Sequence, residues 1–367
     1  MREVFMIRQK RTEFSVFVLL ALSFWLTAYS LVMTERVMET VGTALRVFAF
    51  SVLPPLAVFS VCSKILLKSG AVRRFRLGVF SGVPKALGMS EGGFFAFLIG
   101  LVAGFPTGAA ILSELYERGE ISKGEAESLL PFCNQASAAF LFGTVGTGML
   151  DDPRAGLVFF TAQMVTACIC ICLTSGKRRD CKTTVSPEEA PRVSFSSVLT
   201  VSIGETAFSM LGVCGFIVFF SLLTTALFDT LCAIGFSVSA LFAVAFGGFL
   251  EISSGFLALS QAAFSDGITY ALGGMLLGFG GVSVFMQALD RTEAFFYDPL
   301  KYFEGKILSS IICPLFSLLF FCLYGIKNGK FLIIATSLSV ICFFYLLNCV
   351  KIKFFSKKCG KIERNAV

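Results

Sequence analysis

The chain contains no histidine. This absence excludes Ser-His-Asp and Cys-His catalytic groups, His-ligated zinc, haem on a proximal His and the usual proton relay near neutral pH. Charged residues are also scarce, at 15% of the 367 residues against about 25% in an average soluble domain. Because 56% of the residues are hydrophobic and the mean hydropathy is +0.82, the composition predicts a polytopic membrane protein.

The cysteines and the net charge indicate no other class of protein. The 13 cysteines include no CxxC pair, and most lie in apolar runs such as TACICICLT, so they are expected to pack rather than to form disulfides. The net charge of +7 comes from basic residues that flank apolar segments, which is a topology signal and not a nucleic-acid signal. Asp151 and Asp152 adjoin in a predicted loop, so we expect no enzyme.

Eight apolar stretches are long enough to cross the hydrocarbon core, which needs about 20 residues: 14–33, 48–67, 130–150, 155–174, 210–228, 270–289, 308–324 and 331–350. Two further stretches break at turns, 92–110 at GFPTG and 236–259 at GGFLEISSG. These two predict re-entrant hairpins, which survive where protein or a water-filled cavity covers the backbone.

The distribution of Lys and Arg residues favours eight crossings and two re-entrant hairpins. With both termini in the cytoplasm, five of the 31 Lys and Arg residues lie outside: Arg36, Arg46, Arg154, Lys327 and Lys330. If either hairpin were a full span, every later loop would change sides and the asymmetry would collapse.

The chain divides into two similar halves. The predicted regions are an N-terminal transmembrane helix (1–40), a first repeat (41–175), a cytoplasmic linker (176–195), a second repeat (196–326) and a C-terminal helix with a basic tail (327–367). Alignment of Ser137 with Ser283 sets an offset of 146 residues, which places one hairpin turn over the other. Since each half crosses three times, the second is inverted. Inverted repeats with broken helices are typical of secondary transporters, which bind substrate at the midplane.

Two long motifs carry a resemblance to a known family. GFPTGA followed by LYERGEISKGEAESLLPFCNQASAAFLFGTVGTGML resembles the nucleoside-recognition (Gate) domain of the YlbJ-type sporulation integral membrane proteins, and GFLEISSG with LLGFGGVSVFMQ resembles their second copy. The resemblance covers residues 44–324 and implies a relation to concentrative nucleoside transporters. It also implies transport of dipicolinic acid across the outer forespore membrane. The chain departs from the family at Thr107 and at Ser137-Ala138, which leaves the substrate open.

The turn GFPTGA is the first part of the candidate substrate site. Gly104 and Gly108 permit a tight backbone, and Pro106 suits the first turn of a new helix. A helix that starts near Thr107 would point unpaired N–H groups at the membrane centre, where they attract an anion. The alternative is a simple packing turn.

The broken span adds polar side chains to the candidate site. Asn134 and Ser137 are three residues apart, so on a helix they would share a face, whereas Gln135 would point elsewhere. Because an unpaired buried amide costs about 1–3 kcal/mol, we expect these side chains to contact substrate. The alternative is a role between packed helices.

The second half supplies an ionisable group. Glu251 lies in the hairpin tip with Ser253, Ser254 and Gly255, and an acidic residue at membrane depth is a functional candidate. It could carry a coupling proton, bind Na⁺ or hydrogen-bond the substrate; capping a half-helix is the alternative. The matching unwound point is marked by Gly280, Gly281 and Ser283. No Lys or Arg falls in the predicted centre, so dipoles, amides and hydroxyls would have to meet an anionic solute.

Taken together, these patterns predict an all-α carrier of a small polar or anionic solute, with dipicolinic acid as the first candidate. We expect it in the cell membrane or the outer forespore membrane, with the lipid bilayer and the solute as its partners. No cofactor is expected apart from a coupling ion, H⁺ or Na⁺, and a homo-oligomer is left open. The alternatives are a nucleoside or ion carrier of the same fold and a non-transporting sporulation scaffold.

Overall fold

The computed structural model describes residues 2–69, 84, 87–174, 194–292, 295 and 298–326, and within them the chain is helical with no strand. The amino-terminal helices are α1 (Arg2–Val32), α2 (Thr34–Val47), a π-helical turn (Phe48–Val52) and α3 (Leu53–Lys68). The first half continues with α4 (Glu91–Ala103), α5 (Thr107–Glu117), α6 (Lys123–Cys133), a π-helical segment (Phe140–Met149) and α7 (Pro153–Thr174). The second half contains α8 (Phe195–Ala233), α9 (Ala240–Leu250), α10 (Ile252–Gln261), α11 (Asp266–Phe279), α12 (Val282–Arg291) and α13 (Pro299–Ile326).

Several helices have the length and composition of membrane spans. Within the described residues four qualify: Pro153–Thr174, Phe195–Ala233, Asp266–Arg291 and Pro299–Tyr324. The pair Val16–Val32 and Thr34–Val52 would be a fifth if both helices formed one span, but it is bent by 105°. Large apolar side chains on α1 and α8 stay exposed, including Phe24, Phe208 and Leu211. Such surfaces are disfavoured in water and suit contact with lipid, so the chain is an integral membrane protein.

The helices of the structure continue some of the predicted spans and divide others. The first continues to Val32, where the sharp bend into α2 follows. The second is divided into a π-helical turn and α3, whose apolar part, Leu56–Leu66, is shorter than a span. The third is interrupted between α6 and the π-helical segment. The stretch 331–350, the C-terminal region 327–367 and nearly all of the linker 176–195 lie outside the described residues. Eight crossings therefore stay a prediction.

The helices of the two halves follow one another in the same order, at offsets close to 146 residues. The helices α4 and α5 pack together, as do α9 and α10, and each pair meets at a short turn. After the pair comes a broken helix: α6 and the π-helical segment in the first half, α11 and α12 in the second. A long helix closes each half, and its first residues, Pro153 and Pro299, are separated by the same 146 positions as Ser137 and Ser283. The orientation of the hairpins in a membrane stays a prediction.

The helices form two groups, which we call the scaffold and the core. The scaffold comprises α1–α3 and α8; Tyr29 donates a hydrogen bond of 2.5 Å to Asp229, and Lys64 and Lys68 both pair with Glu205. The core comprises α4–α7 and α9–α13. Its most extensively packed helix pair is α11 with α13, where a Cβ on Gly278 would lie 2.4 Å from the Ser309 carbonyl oxygen. Small residues allow this approach.

A polar contact joins the two halves of the core at one end. Asp152, in the loop before α7, accepts hydrogen bonds from Tyr270 of α11 at 3.0 Å and from the Arg154 side chain at 2.8 Å. Partial burial raises the pKa of Asp152, but these hydrogen bonds outweigh it and hold the pKa below its ordinary value. The carboxylate therefore stays ionised and ties the loop to the second half.

Candidate functional site

The first hairpin tip packs directly on the break in the first broken helix. The Phe105 N–H donates a hydrogen bond of 2.8 Å to the Gln135 carbonyl oxygen. Gly104 has φ +74°, and a Cβ there would lie 2.5 Å from the Ser137 backbone nitrogen. Pro106 follows and precedes the first turn of α5. Glycine is required at position 104 both by the backbone angle and by the close approach.

Glycines also bring the hairpin against the end of α6. A Cβ on Gly108 would lie 1.9 Å from the Cys133 carbonyl oxygen, and one on Gly100 would lie 2.1 Å from the same atom. Gly108 was predicted from the turn motif. Gly100 was missed, because it lies inside an apolar helix and no local motif marks it.

The break in the first helix is held by a side chain from α7. The helix α6 ends at Cys133, and helical structure resumes after Ser137 and leads into the π-helical segment. Gln163 accepts a hydrogen bond of 3.1 Å from the Ala136 N–H and donates one of 2.9 Å to the Ala136 carbonyl. Gln163 therefore satisfies both backbone groups at the centre of the break. Sequence reasoning missed it because nothing local distinguishes one amide in an apolar span.

The predicted shared face of Asn134 and Ser137 is wrong, because neither residue lies within a continuous helix. Ser137 caps the next turn and accepts a hydrogen bond of 3.1 Å from the Phe140 N–H. Asn134 is fully buried and faces α13, where its side-chain amide donates to the Tyr302 hydroxyl at 3.2 Å. Its side-chain oxygen has no partner among the described residues.

The expectation that no basic residue lies at the centre is also wrong. Lys306 of α13 is 1% exposed, and its Nζ donates a hydrogen bond of 2.7 Å to the Asn134 carbonyl oxygen. The predicted span 308–324 made Lys306 a flanking charge, whereas α13 begins at Pro299 and carries Lys306 into the protein. Lys306 reaches the centre because α13 packs against the first break, and no sequence motif marks this contact.

The second hairpin tip is built around Glu251. The residue is extended between α9 and α10, is 2% exposed, and its carboxylate accepts a hydrogen bond of 2.8 Å from the Ser254 N–H. The two arms touch where Gly255 meets Gly248, since a Cβ on Gly255 would lie 2.5 Å from the Gly248 Cα. The capping contact that sequence reasoning offered as an alternative is therefore present, and a coupling role stays a prediction.

The second tip packs on the second break, as the first does. Gly280 and Gly281 have φ of +85° and +92°, and a Cβ on Gly281 would lie 3.2 Å from the Gly248 carbonyl oxygen. Ser283 is buried and accepts a hydrogen bond of 3.2 Å from the Gln287 side-chain amide. The Gln287 side-chain oxygen has no partner among the described residues.

Both tips and both broken helices meet at one cavity between the core and the scaffold. Its volume is about 20 Å³, room for roughly one water molecule, so this conformation is closed to a larger solute. The core lines it with Phe105, Ser137, Phe140, Glu251, Ser253 and Gln287, and the scaffold with Val52, Leu56, Val213 and Ile217. Thr107 lies nearby in sequence and its hydroxyl meets that of Ser60 at 3.1 Å, across the same boundary.

The predicted site residues therefore separate into two places. Ser137, Glu251 and Ser253 line the cavity, whereas Asn134 and Gly280 lie beside Lys306. The remaining predicted residues shape the backbone of the tips and breaks: Gly104, Pro106, Gly108, Ser254, Gly255, Gly281 and Ser283. In the described part of the chain, no group of three or more Cys, Asp and Glu side chains could hold a metal ion.

Apolar helices, exposed apolar faces and a buried polar centre define an integral membrane protein of all-helical fold. The chain is 27% identical over 139 residues to the sporulation integral membrane protein YlbJ of Bacillus subtilis (strain 168), and the aligned part is 38% of this chain and 34% of that protein. It is also similar to the structure of CNTnw in an inward-facing substrate-bound state, with 13% identity, a TM-score of 0.45, and 88% and 87% of the two chains covered. No protein-family model matches the chain.

Proposed function

We propose that the chain is a membrane carrier for a small polar or anionic solute, and that the solute binds between the two hairpin tips and the two broken helices. One observation carries the proposal: a single cavity is lined by residues of both tips and of both broken helices, with scaffold residues on its other side. Interrupted helices at the centre of a membrane protein supply backbone and side-chain polar groups that bind solutes.

The polar groups at the cavity suit a polar solute. Ser137, Glu251, Ser253 and Gln287 all line it, and the Gln287 side-chain oxygen has no hydrogen-bond partner in the described structure. Burying a polar atom without a partner costs about 1–3 kcal/mol. A donor group on a bound solute, or a water molecule bound together with an anionic solute, would remove that cost, and an apolar solute would not.

The position of the cavity suggests how the carrier would open. Its scaffold side consists of apolar side chains, Val52, Leu56, Val213 and Ile217. Such apolar contacts have no directional bonds to break when they slide, and the polar contact described at this boundary is the hydrogen bond between Ser60 and Thr107. The core, by contrast, is tied together through the contacts of its tips and breaks. In the proposed mechanism the core moves against the scaffold and exposes the cavity alternately to each side of the membrane.

Dipicolinate is the solute that we propose to test first. The similar protein from Bacillus subtilis is named as a sporulation integral membrane protein, and the resemblance described above implies dipicolinate as cargo. On this proposal the chain lies in the outer forespore membrane with both termini in the cytoplasm. A nucleoside or ion carrier and a non-transporting scaffold are the outcomes that would replace it.

The test is solute counterflow in proteoliposomes made with the purified full-length protein. Labelled dipicolinate, nucleosides and simple ions are compared side by side, with empty liposomes as the control. Dipicolinate uptake that is stimulated by internal unlabelled dipicolinate is expected, and a deletion strain of a spore-forming host should yield spores poor in dipicolinate while its synthesis continues. Counterflow of nucleosides or ions alone would change the substrate class, and no counterflow of any solute would favour the scaffold.

A further inference from the structure

The Lys306 ammonium lies between the carboxyl-terminal ends of the two broken helices. Asn134 follows the last residue of α6, and its carbonyl oxygen accepts the 2.7 Å hydrogen bond from Nζ. Gly280 follows the last residue of α11, and a Cβ built on it would lie 3.6 Å from the same Nζ. One side chain from α13 therefore meets both breaks.

No acidic side chain in the described structure pairs with this lysine. Its remaining polar neighbours are the Tyr302 ring, 5.7 Å from Nζ, and three cysteines, Cys133, Cys170 and Cys313. A buried ammonium without a compensating negative group is strongly destabilising. Lys306 therefore either loses its proton or has its charge balanced by groups other than the carboxylates of the described residues.

The two helix ends supply that balance. Each helix carboxyl terminus carries about −0.5 elementary charge, so the ends of α6 and α11 together offset about one positive charge. This arithmetic decides between two roles for Lys306. A lysine poised to bind an anionic solute would carry an uncompensated charge, whereas a lysine balanced by two helix ends already occupies a cation site.

We propose that Lys306 is a tethered cation, which fills with its ammonium group the position where a free coupling cation would otherwise bind. In secondary transporters, unwound carbonyls and the carboxyl-terminal ends of broken helices coordinate Na⁺ or H⁺. Here the same kind of position holds a side chain of the protein. The inference rests on the proposed carrier function and narrows its coupling ion, since a site filled by Lys306 leaves no place there for Na⁺.

The test compares melting temperatures of the purified full-length protein in NaCl and in choline chloride at equal ionic strength. The unmodified protein should melt at the same temperature in both salts. Lys306→Ala should melt lower in choline chloride and recover part of the loss in NaCl, because Na⁺ can enter the vacated space. Lys306→Met, which fills the space without a charge, should lose stability without this recovery. Lys301→Ala removes an exposed lysine of the same helix that pairs with Glu127, and it should show no difference between the salts.

Four results would overturn the inference. The first is a higher melting temperature of the unmodified protein in NaCl than in choline chloride. The second is Lys306→Ala that melts at the same temperature as the unmodified protein in choline chloride, and the third is a destabilised Lys306→Ala whose melting temperature does not rise in NaCl. The fourth is Lys306→Met that recovers in NaCl as much as Lys306→Ala does. If Lys306→Ala does not fold in choline chloride, folding that is restored in NaCl supports the inference, and failure to fold in both salts overturns it. The melting measurements need no solute, so their failure is distinct from failure of the proposed function, which counterflow tests separately.

Discussion

Replacement of Glu251 by Gln separates a coupling role from a capping role. Glu251 accepts the Ser254 N–H at 2.8 Å, and a Gln side chain keeps an acceptor at this place while it removes the titratable proton. Hydrogen bonds to charged groups contribute about 1.5–3 kcal/mol and neutral ones about 0.5–1.5 kcal/mol. The substitution should therefore cost about 1–2 kcal/mol of stability, and the protein should still fold and insert.

The substitution should abolish gradient-driven accumulation while most of the stability is kept. A proton gradient of one pH unit stores about 1.4 kcal/mol, which supports up to roughly tenfold accumulation of a solute carried with one proton. In proteoliposomes with that gradient, the unmodified protein should accumulate solute, and Glu251→Gln should only equilibrate it. Counterflow exchange, which needs no net proton movement, should persist in the variant.

A cap at the outer end of the same hairpin provides the control. Ser239 caps α9 and accepts a hydrogen bond of 3.2 Å from the Phe242 N–H, but it has no titratable group and is exposed. Loss of such a cap costs about 0.5–2 kcal/mol. Ser239→Ala should therefore be destabilised and still accumulate solute. Full gradient-driven accumulation by Glu251→Gln would refute the coupling role and leave Glu251 as a cap.

Three further predictions concern the rest of the site. Asn134→Ala removes the buried hydrogen bond to the Tyr302 hydroxyl and should cost about 1–3 kcal/mol of stability, while the half-saturating concentration in counterflow stays unchanged because Asn134 does not line the cavity; a higher half-saturating concentration would place Asn134 in the solute site. Gly108→Ala forces a Cβ to within 1.9 Å of a backbone carbonyl and should abolish folded protein in a detergent-exchange stability assay, whereas Gly124→Ala, whose Cβ meets nothing within 4 Å, should fold normally. Impermeant thiol reagents should label a cysteine placed near Asp152 from outside and spare one near Arg178; external labelling near Arg178 would overturn the eight-crossing topology.

The sequence was sufficient to locate both hairpin turns and the second helix break. GFPTG and GGFLEISSG predicted both hairpin turns, and Gly280-Gly281 predicted the second helix break, because glycine and proline determine local backbone geometry whatever surrounds them. The positive φ angles at Gly104, Gly280 and Gly281 confirm the predicted turn at Gly104 and the predicted helix break at Gly280-Gly281.

The partners of those breaks could not be predicted. Gln163 contacts a residue of the first break that is 27 positions away in the sequence, and Lys306 contacts one that is 172 positions away. No local sequence pattern predicts contacts between residues so far apart. The i, i+3 argument for Asn134 and Ser137 failed for a related reason, since it assumed a helix at the very place where the helix ends. Sequence periodicity predicts regular helices, whereas the residues of the candidate site lie where the helices are interrupted.

The central claim is that solute binds at the cavity between the tips and the breaks, and solute protection of a cysteine at position 253 tests it most directly. Ser253 lines the cavity, and Ser253→Cys is nearly isosteric. In proteoliposomes we expect a thiol reagent to modify this cysteine, and dipicolinate to slow the modification with the same half-maximal concentration as in counterflow. A labelling rate that is unchanged at saturating dipicolinate, in a variant that still transports it, would contradict the account.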